Sequence, residues 1–446
     1  MSKRNFILLI IILVAVLATF FGFLFLRQGP VAPGEEGGGT NFLSQFNPFG
    51  RGDQKPGGTT PPPVDISGYE PPPEQTGLGL LKVSSMPIAG YTVFQKERFK
   101  EMPVVVPVPP AESATPTKTA VPAPKPTPPQ TEFVAALRYV DRATGNIYQT
   151  FADKISERKF SGTVIPKIYE AFFGNSGNSV IMRYLKGTST KIETFAGTLP
   201  PEILGGDSTG ENEVRGTFLP ENITDMSISP DGKSAFYLFN SGETTVGTIL
   251  DFASGKKSQT FDSAFNEWLS FWPGAKTITL TTKPSYVAPG YMYKIDLTTK
   301  NLVRVMDGMY GLTTLQSPDG KMVLYADNTL TLGIYHTDTK ISESLGVRTL
   351  PEKCVWSKNS DIIYCSAPKV VIGTNYPDSW YRGEISFEDQ IWKINPLLGS
   401  ALILLDPVTV DGGEEMDGIK LSLDSEEKYL FLVNKKDSFL WKVELR

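Results

Sequence analysis

Ser229-Pro230-Asp231-Gly232-Lys233 and Ser317-Pro318-Asp319-Gly320-Lys321 are one phrase met twice, with weaker copies at Ser357-Lys358-Asn359-Ser360-Asp361 and Ser422-Leu423-Asp424-Ser425-Glu426. Each is a polar tight turn followed by a short apolar, aromatic-rich strand, which is how a repeated β-hairpin reads. Phe271-Trp272-Pro273-Gly274-Ala275-Lys276 fills the same role, so the proline slot recurs at 230, 273, 318, 358 and 423, with gaps of 43, 45, 40 and 65. The first three gaps suit one four-stranded propeller blade, roughly 40 to 50 residues.

A second phrase alternates with the first: an aromatic, a β-run, then Asp or Asn and a polar turn. It stands at Tyr139-Val140-Asp141-Arg142-Ala143-Thr144-Gly145, Tyr293 to Lys300, Tyr335-His336-Thr337-Asp338-Thr339-Lys340 and Trp392-Lys393-Ile394-Asn395. Two alternating hairpin turns per period mean four strands per period. These repeats resemble the WD-like propeller repeats of the TolB type and are similar to the propeller halves of prolyl-oligopeptidase-like proteins, closely over residues 168 to 446 and loosely over 79 to 167. The resemblance implies an all-β propeller architecture and a binding platform more than an activity.

Weaker first hairpins at Phe173 to Ser179 and Ser85 to Gly90 complete a seven-bladed β-propeller with blades starting near residues 79, 168, 223, 267, 312, 352 and 419; six blades is the alternative. The last blade ends at Leu440 to Leu445 one strand short, so a strand near Gly79 to Val83 is expected to complete it. Such closure removes the free edges that invite aggregation.

Formal net charge is −5 and the sequence pI about 5.3, which excludes the basic stripe of a nucleic-acid binder. Phe6 to Leu26 is apolar for 21 residues apart from Thr19 and Gly22. As a helix it spans about 32 Å, enough to cross a hydrocarbon core of roughly 30 Å. Lys3 and Arg4 precede it and no small-x-small cleavage pattern follows, so it reads as a single-pass anchor with residues 1–5 cytoplasmic and the propeller extracytoplasmic. Residues 29 to 75 hold ten Gly and ten Pro, and 101 to 130 hold ten Pro. Neither can bury enough apolar surface to offset ordering entropy, so residues 27–78 read as a disordered tether and 101–130 as a Pro-rich loop of the 79–446 domain. Arg51-Gly52-Asp53 in the tether matches an integrin-binding tripeptide, a match that arises by chance in many chains.

Cys354 and Cys365 are the two cysteines, placed symmetrically about Asn359-Ser360 in one hairpin, and are expected to face each other as a disulfide. A metal site at this pair lacks further ligands nearby. His336 is the sole histidine, so a catalytic triad or multi-histidine zinc site has one location for its imidazole, inside a strand phrase. Gly255-Lys256 has Leu250 where a phosphate loop needs glycine, so no nucleotide and no other cofactor is expected. Asp411 to Gly418 carries four acids and could ligate calcium, although it lacks EF-hand spacing and reads first as a solvated loop.

Topology supplies the site expectation. In an antiparallel blade the first and third connections fall on one face and the second connection and inter-blade links on the other. With both turn phrases short, the long insertions 101 to 130, 201 to 221, 283 to 291, 367 to 390 and 406 to 418 are expected together on the other face. Tyr286, Tyr291, Tyr376, Trp380, Tyr381 and Arg382 lie in two of them. Aromatics with Arg are typical of interaction hot spots and sugar-stacking sites, and equally of a hydrophobic cap. The function this points to is a protein- or glycan-binding scaffold in the cell envelope. The alternative is a carbohydrate hydrolase or lyase using carboxylates such as Glu384, Glu388 and Asp389.

Overall fold

The structure, a computed structural model, describes residues 79–100, 129–187, 191–202, 204 and 212–445. The anchor expected over 6–26, the tether over 27–78 and most of the Pro-rich loop lie outside the described residues.

Among the described residues, twenty-eight strands form seven four-stranded antiparallel sheets, one per blade. Blades 1 to 6 run Ile88 to Ser161, Ile168 to Phe218, Ile223 to Ser263, Trp268 to Tyr310, Thr313 to Arg348 and Cys354 to Leu405. Blade 7 takes Gly418–Leu423, Tyr429–Asn434 and Leu440–Glu444 from the chain's end and Leu80–Lys82 from before blade 1. Leu80 pairs with Val443 and Lys82 with Trp441, so the ring closes as expected.

Burial is greatest on the second strand of a blade and falls from there outward, and composition follows it. Second strands lie between neighbouring blades and are buried on both faces, as at Ala235 to Leu238 and Leu430 to Val433. They read as unbroken apolar runs for that reason. Outer strands such as Lys257–Ser263 and Ser342–Arg348 are mostly exposed and polar. Apolar clusters fill the blade interfaces, including the closing one, where Phe431, Val433 and Leu440 of blade 7 pack with Leu137 and Tyr139 of blade 1.

Both copies of the opening phrase build one turn. Asp231 Oδ1 accepts from the Ser229 hydroxyl at 2.7 Å and the Lys233 N–H at 3.1 Å; Asp319 Oδ1 accepts from Ser317 at 2.6 Å and Lys321 N–H at 3.0 Å. Gly232 and Gly320 close them at φ +70° and +75°, where a side chain would be strained. The Cys354–Cys365 disulfide is formed across directly paired strand residues.

Four expectations are corrected. The Pro-rich 101–130 segment joins Ile88–Phe99 to Thr131–Asp141, the first and second strands of blade 1, so both its ends lie on the face of the tight turns. Residues 199–214 join the third and fourth strands of blade 2 and leave from that same face. Ser85 to Gly90 is not a first hairpin but the link from blade 7's outer strand into blade 1. Asp141 to Gly145 joins the second and third strands of blade 1, not the third and fourth. Only the insertions around 283–288, 369–388 and 406–417 sit on the opposite face, called here the link face.

Candidate functional site

The innermost strands of the seven blades surround an axial channel, and four of them break register soon after an isoleucine. Shifts fall between Ile88 and Gly90, Ile168 and Glu170, Ile223 and Asp225, and Ile419 and Ser422. A bulge of this kind re-aims a side chain. Glu170, Asp225 and Lys420 thereby come to the channel on the first strands of blades 2, 3 and 7, Lys420 at φ +53°. Gly90 marks how closely the inner strands approach: a Cβ there would sit 2.0 Å from the Ala171 carbonyl oxygen.

On the turn face the channel opens as a funnel of about 690 Å³ bounded by Thr92, Phe94, Gln95, Gly177, Asp231 and Leu423. Deeper lies a chamber of about 330 Å³, lined by Asp225, Ser270, Phe271, Thr281, Thr313 and Glu352 among others. Lys420 and Leu421 belong to the walls of both.

Over the link face lies a plug, the long 369–388 connection of blade 6 with its short helix Asp378–Tyr381, which reaches blades 4, 5 and 7. Asp378 ties this plug to blade 4, accepting from the Tyr286 N–H at 2.7 Å and the Ser285 hydroxyl at 3.3 Å. Lys435 of blade 7 donates to the Trp380 carbonyl at 2.8 Å. Beneath the plug, Lys353 is wholly buried between Asp389, at 2.7 Å, and Asp417. Asp417 also accepts from Trp380 Nε1 at 2.9 Å, Ser386 at 3.0 Å and the Phe387 N–H at 3.1 Å. Burial pushes both carboxyls up; for Asp417 the Lys353 ammonium and these donors outweigh it and hold it below the usual range, whereas Asp389 stays raised.

Charges in the channel are of two kinds. Around the neck they are paired: Arg183 meets Glu170 at 2.5 Å, and Lys420 donates to the Ala89 carbonyl at 3.1 Å with Glu170 4.0 Å away. Enclosure lowers the Lys420 pKa against the pull of Glu170. In the chamber they are not. Asp225 accepts only from Ser270, N–H at 2.5 Å and hydroxyl at 2.7 Å, and burial pushes it up to about 6. Glu352 opens on the lumen but is walled by protein, which pushes it up to about 7, and it accepts from the Tyr381 hydroxyl.

The structure distributes the expected binding residues unevenly. Tyr376 and Trp380 are buried in the plug's apolar cluster with Leu330, Leu350 and Phe387, Trp380 at 4% exposure, so neither presents a ring face to a partner. Tyr381 points into the channel, while Arg382 is exposed and pairs with Glu384 at 3.0 Å. Tyr286 is half-buried at the plug's edge, and Tyr291 is a half-buried residue of the strand Pro289–Asp296 outside this cluster. Of the three acids of the enzymatic alternative, Asp389 is locked to Lys353 and Glu384 and Glu388 are exposed. His336 lies on the third strand of blade 5, 3.7 Å from Glu343. In the acidic 411–418 loop, Glu414, Glu415 and Asp417 each meet a lysine, and among the described residues no group of three His, Cys, Asp or Glu gathers as metal ligands. Asp225, Glu352, Thr313 and Lys420 were absent from the sequence reading; a polar residue two places after an inner-strand isoleucine, as in Ile168-Tyr169-Glu170 and Ile223-Thr224-Asp225, was the available signal.

No family model matches the chain, and no curated protein does. Solved structures similar to it include an oligogalacturonate lyase in complex with manganese, 9% identical over 70% of this chain and 85% of that one, with a TM-score of 0.47. Oligogalacturonate lyase from Vibrio parahaemolyticus is 9% identical over 70% and 86%, at 0.46. TolB from Acinetobacter baumannii is 12% identical over 68% and 61%, at 0.37. Likeness at this level concerns the fold alone, the β-propeller already seen in the sheets.

Proposed function

We propose that the chain is a membrane-anchored, extracytoplasmic β-propeller that binds a protein segment or a glycan of the cell envelope and serves as a scaffold. The observation that carries this reading is a channel plugged at one end and open at the other, with charged side chains turned into it by bulged inner strands. The receiving surface is then the turn face, not the aromatic-rich insertions. Placement outside the cytoplasm draws on the apolar Phe6–Leu26 run and on the Cys354–Cys365 cystine, a bond that persists in oxidising compartments.

The test is a pull-down from envelope extract beside a glycan array, using the propeller from Pro73 onward, which is a compact unit closed by its own terminal strand. Thr92→Trp or Gln95→Trp, filling the funnel, should abolish capture, while Arg382→Ala on the link face should leave it intact. The reverse pattern would overturn the reading. A membrane-pelleting assay of the full chain, retained after carbonate washing, checks the anchor separately.

A second reading is the carbohydrate hydrolase or lyase. One observation favours it: Asp225 and Glu352 share a concave chamber and burial raises both towards the range of a general acid at neutral pH. Release of new reducing or unsaturated ends from a captured glycan, lost in Glu352→Gln, would select it.

A further inference from the structure

The chamber holds two carboxyl groups that form no ion pair among the described residues, although Arg183 acts on Asp225, and Lys353 and Lys435 act on Glu352, at longer range. Asp225 has only Ser270 as donor and Glu352 has Tyr381. The cations around them are engaged elsewhere: Lys353 with Asp389 and Asp417, Lys435 with the Trp380 carbonyl, Arg183 with Glu170 and the Ile223 carbonyl, Lys420 with Ala89 and Glu170. Asp225 is half-buried and Glu352 opens on the lumen, but protein walls both; a carboxylate so enclosed without a paired counter-charge is costly, and two that line one chamber raise that cost for each other.

The chamber wall holds a second unanswered group. Thr281 and Thr314 bond to each other at 2.6 Å, but the Thr313 hydroxyl, on a residue only 2% exposed, has no partner. Buried polar atoms are nearly always satisfied, so an orphan beside a cavity points to something that completes it. The rest of the lining is mostly apolar, with Leu269, Phe271, Leu315, Cys354 and Leu421 beside Thr279, and Lys420 at the side towards the funnel. Acceptor-rich ends and an apolar wall complement an aliphatic chain or ring bearing an ammonium group. Two carboxyls are too few to cage a metal ion, and a neutral polyol would leave the charge cost in place.

We propose that the chamber binds a small organic ammonium ion, a diamine or an amino sugar, whose charged nitrogen is received by Asp225 and Glu352 and which meets Thr313. The inference rests on the reading of the channel as a ligand site and deepens it. The ligand comes through the funnel and passes Lys420, so it carries its charge at one or both ends of a slender body. Binding an ammonium ionises both carboxyls, whose own tendency is to hold protons, so affinity rises with pH. The groups facing them are Glu170, Arg183, Lys353, Lys420, Lys435, Asp378 and Tyr381. Of these the acids oppose ionisation, the cations favour it, and Tyr381 stays neutral because burial raises it.

The experiment is calorimetry and thermal unfolding of the propeller with 1,4-diaminobutane and with glucosamine, using glucose as the uncharged match. Either amine should bind and raise Tm, at least about tenfold more tightly at pH 7, where the carboxyls ionise while both amines are still largely protonated, than at pH 5, and glucose should do neither. Glu352→Gln and Asp225→Asn should each reduce the pH dependence, the double variant should remove it, and each single change should weaken binding by about tenfold or more, the loss of a charge-assisted hydrogen bond. Thr313→Val, which removes the orphan hydroxyl without adding bulk, should fold at least as well as the parent and bind more weakly. Equal binding of glucose and glucosamine would overturn the ammonium inference while leaving the channel a ligand site. No binding of either amine by folded protein at pH 7 would overturn it too, and loss of funnel-dependent capture as well would take down the reading beneath it. Should Asp225→Asn fail to fold, Glu352→Gln and Thr313→Val decide the matter.

Discussion

The two ends of the channel are built on opposite terms. The turn-face end is ringed by short phrases whose Asp and Ser side chains satisfy their own backbone, as at Asp231 and Asp319, and whose lysines point away. Neighbouring turns are tied edge to edge, the Gly232 carbonyl accepting from the Asn175 N–H at 2.7 Å and the Asp319 N–H donating to Ser360 Oγ at 3.2 Å, and the funnel lies inside that ring. The link-face end carries the longest described insertion, and its aromatics and charges are spent on one another: Trp380 against Phe387, Asp417 on Lys353, Asp378 on Tyr286. A long aromatic loop closed this molecule, whereas the terse repeated turns framed its opening. Aromatic density therefore reported burial here, in keeping with how much area such side chains hide.

That contrast is most open to attack at Lys353. If the plug is integral, Lys353→Met leaves Asp389 and Asp417 buried without a counter-charge and should cost about 3–5 kcal/mol in urea unfolding. A loss under about 1 kcal/mol would show that the plug is a loose flap and the channel has two mouths. Next in size is the cystine. Cys354→Ser with Cys365→Ser should cost about 2–3 kcal/mol in the chain-entropy account of a loop with separation 11, and titration of unreduced, denatured protein should find no free thiol.

A smaller effect separates the chamber from the plug by the sign of its pH response. Asp225 and Glu352 have folded pKa values raised above those of the open chain, so their stabilisation is complete below about pH 4 and lost as pH rises through about 6 and 7. Asp417 is depressed, so its contribution is present at neutral pH and lost only as pH falls through the carboxylate range. Stability of the unliganded protein should thus decline between pH 5 and pH 8, and the slope should flatten in Asp225→Asn/Glu352→Gln. An unchanged slope would mean that the two carboxyls meet bulk water. The smallest effect is expected at Arg382, exposed and paired with exposed Glu384. Arg382→Ala should change stability by less than about 0.5 kcal/mol, and a large loss would place this residue inside the plug.

The repeat turns were legible because their determinants are local. Ser, Asp and Gly within five residues supply the acceptors and the positive φ that the hairpin needs, whatever surrounds it. The same locality misled the reading of blade 1. Asp141 accepts from the Ala143 N–H and the Thr144 hydroxyl in a turn that serves any pair of antiparallel strands, so Tyr139 to Gly145 could not say which connection it made. Strand length misled it too: Ile88–Phe99 and Thr131–Asp141 run far longer than their counterparts in blade 5.

Sequence alone determined the four-stranded period, the closing strand and the facing of Cys354 and Cys365. These follow from turn chemistry and side-chain alternation over short stretches, whereas the choice of seven blades over six leaned on a first hairpin at Ser85 to Gly90 that is a link, and the sheets themselves settled it. The tertiary structure decided which face each insertion leaves from, which aromatics are buried, and that Asp225, Glu352 and Thr313 share one chamber. These residues come from blades 3 and 5 and from the link into blade 6, 39 to 127 positions apart. What joins them is the ring's axis, where the bulge after Ile223 aims Asp225 inward. Its partners across the channel are set by closure of the whole propeller, which no local pattern encodes.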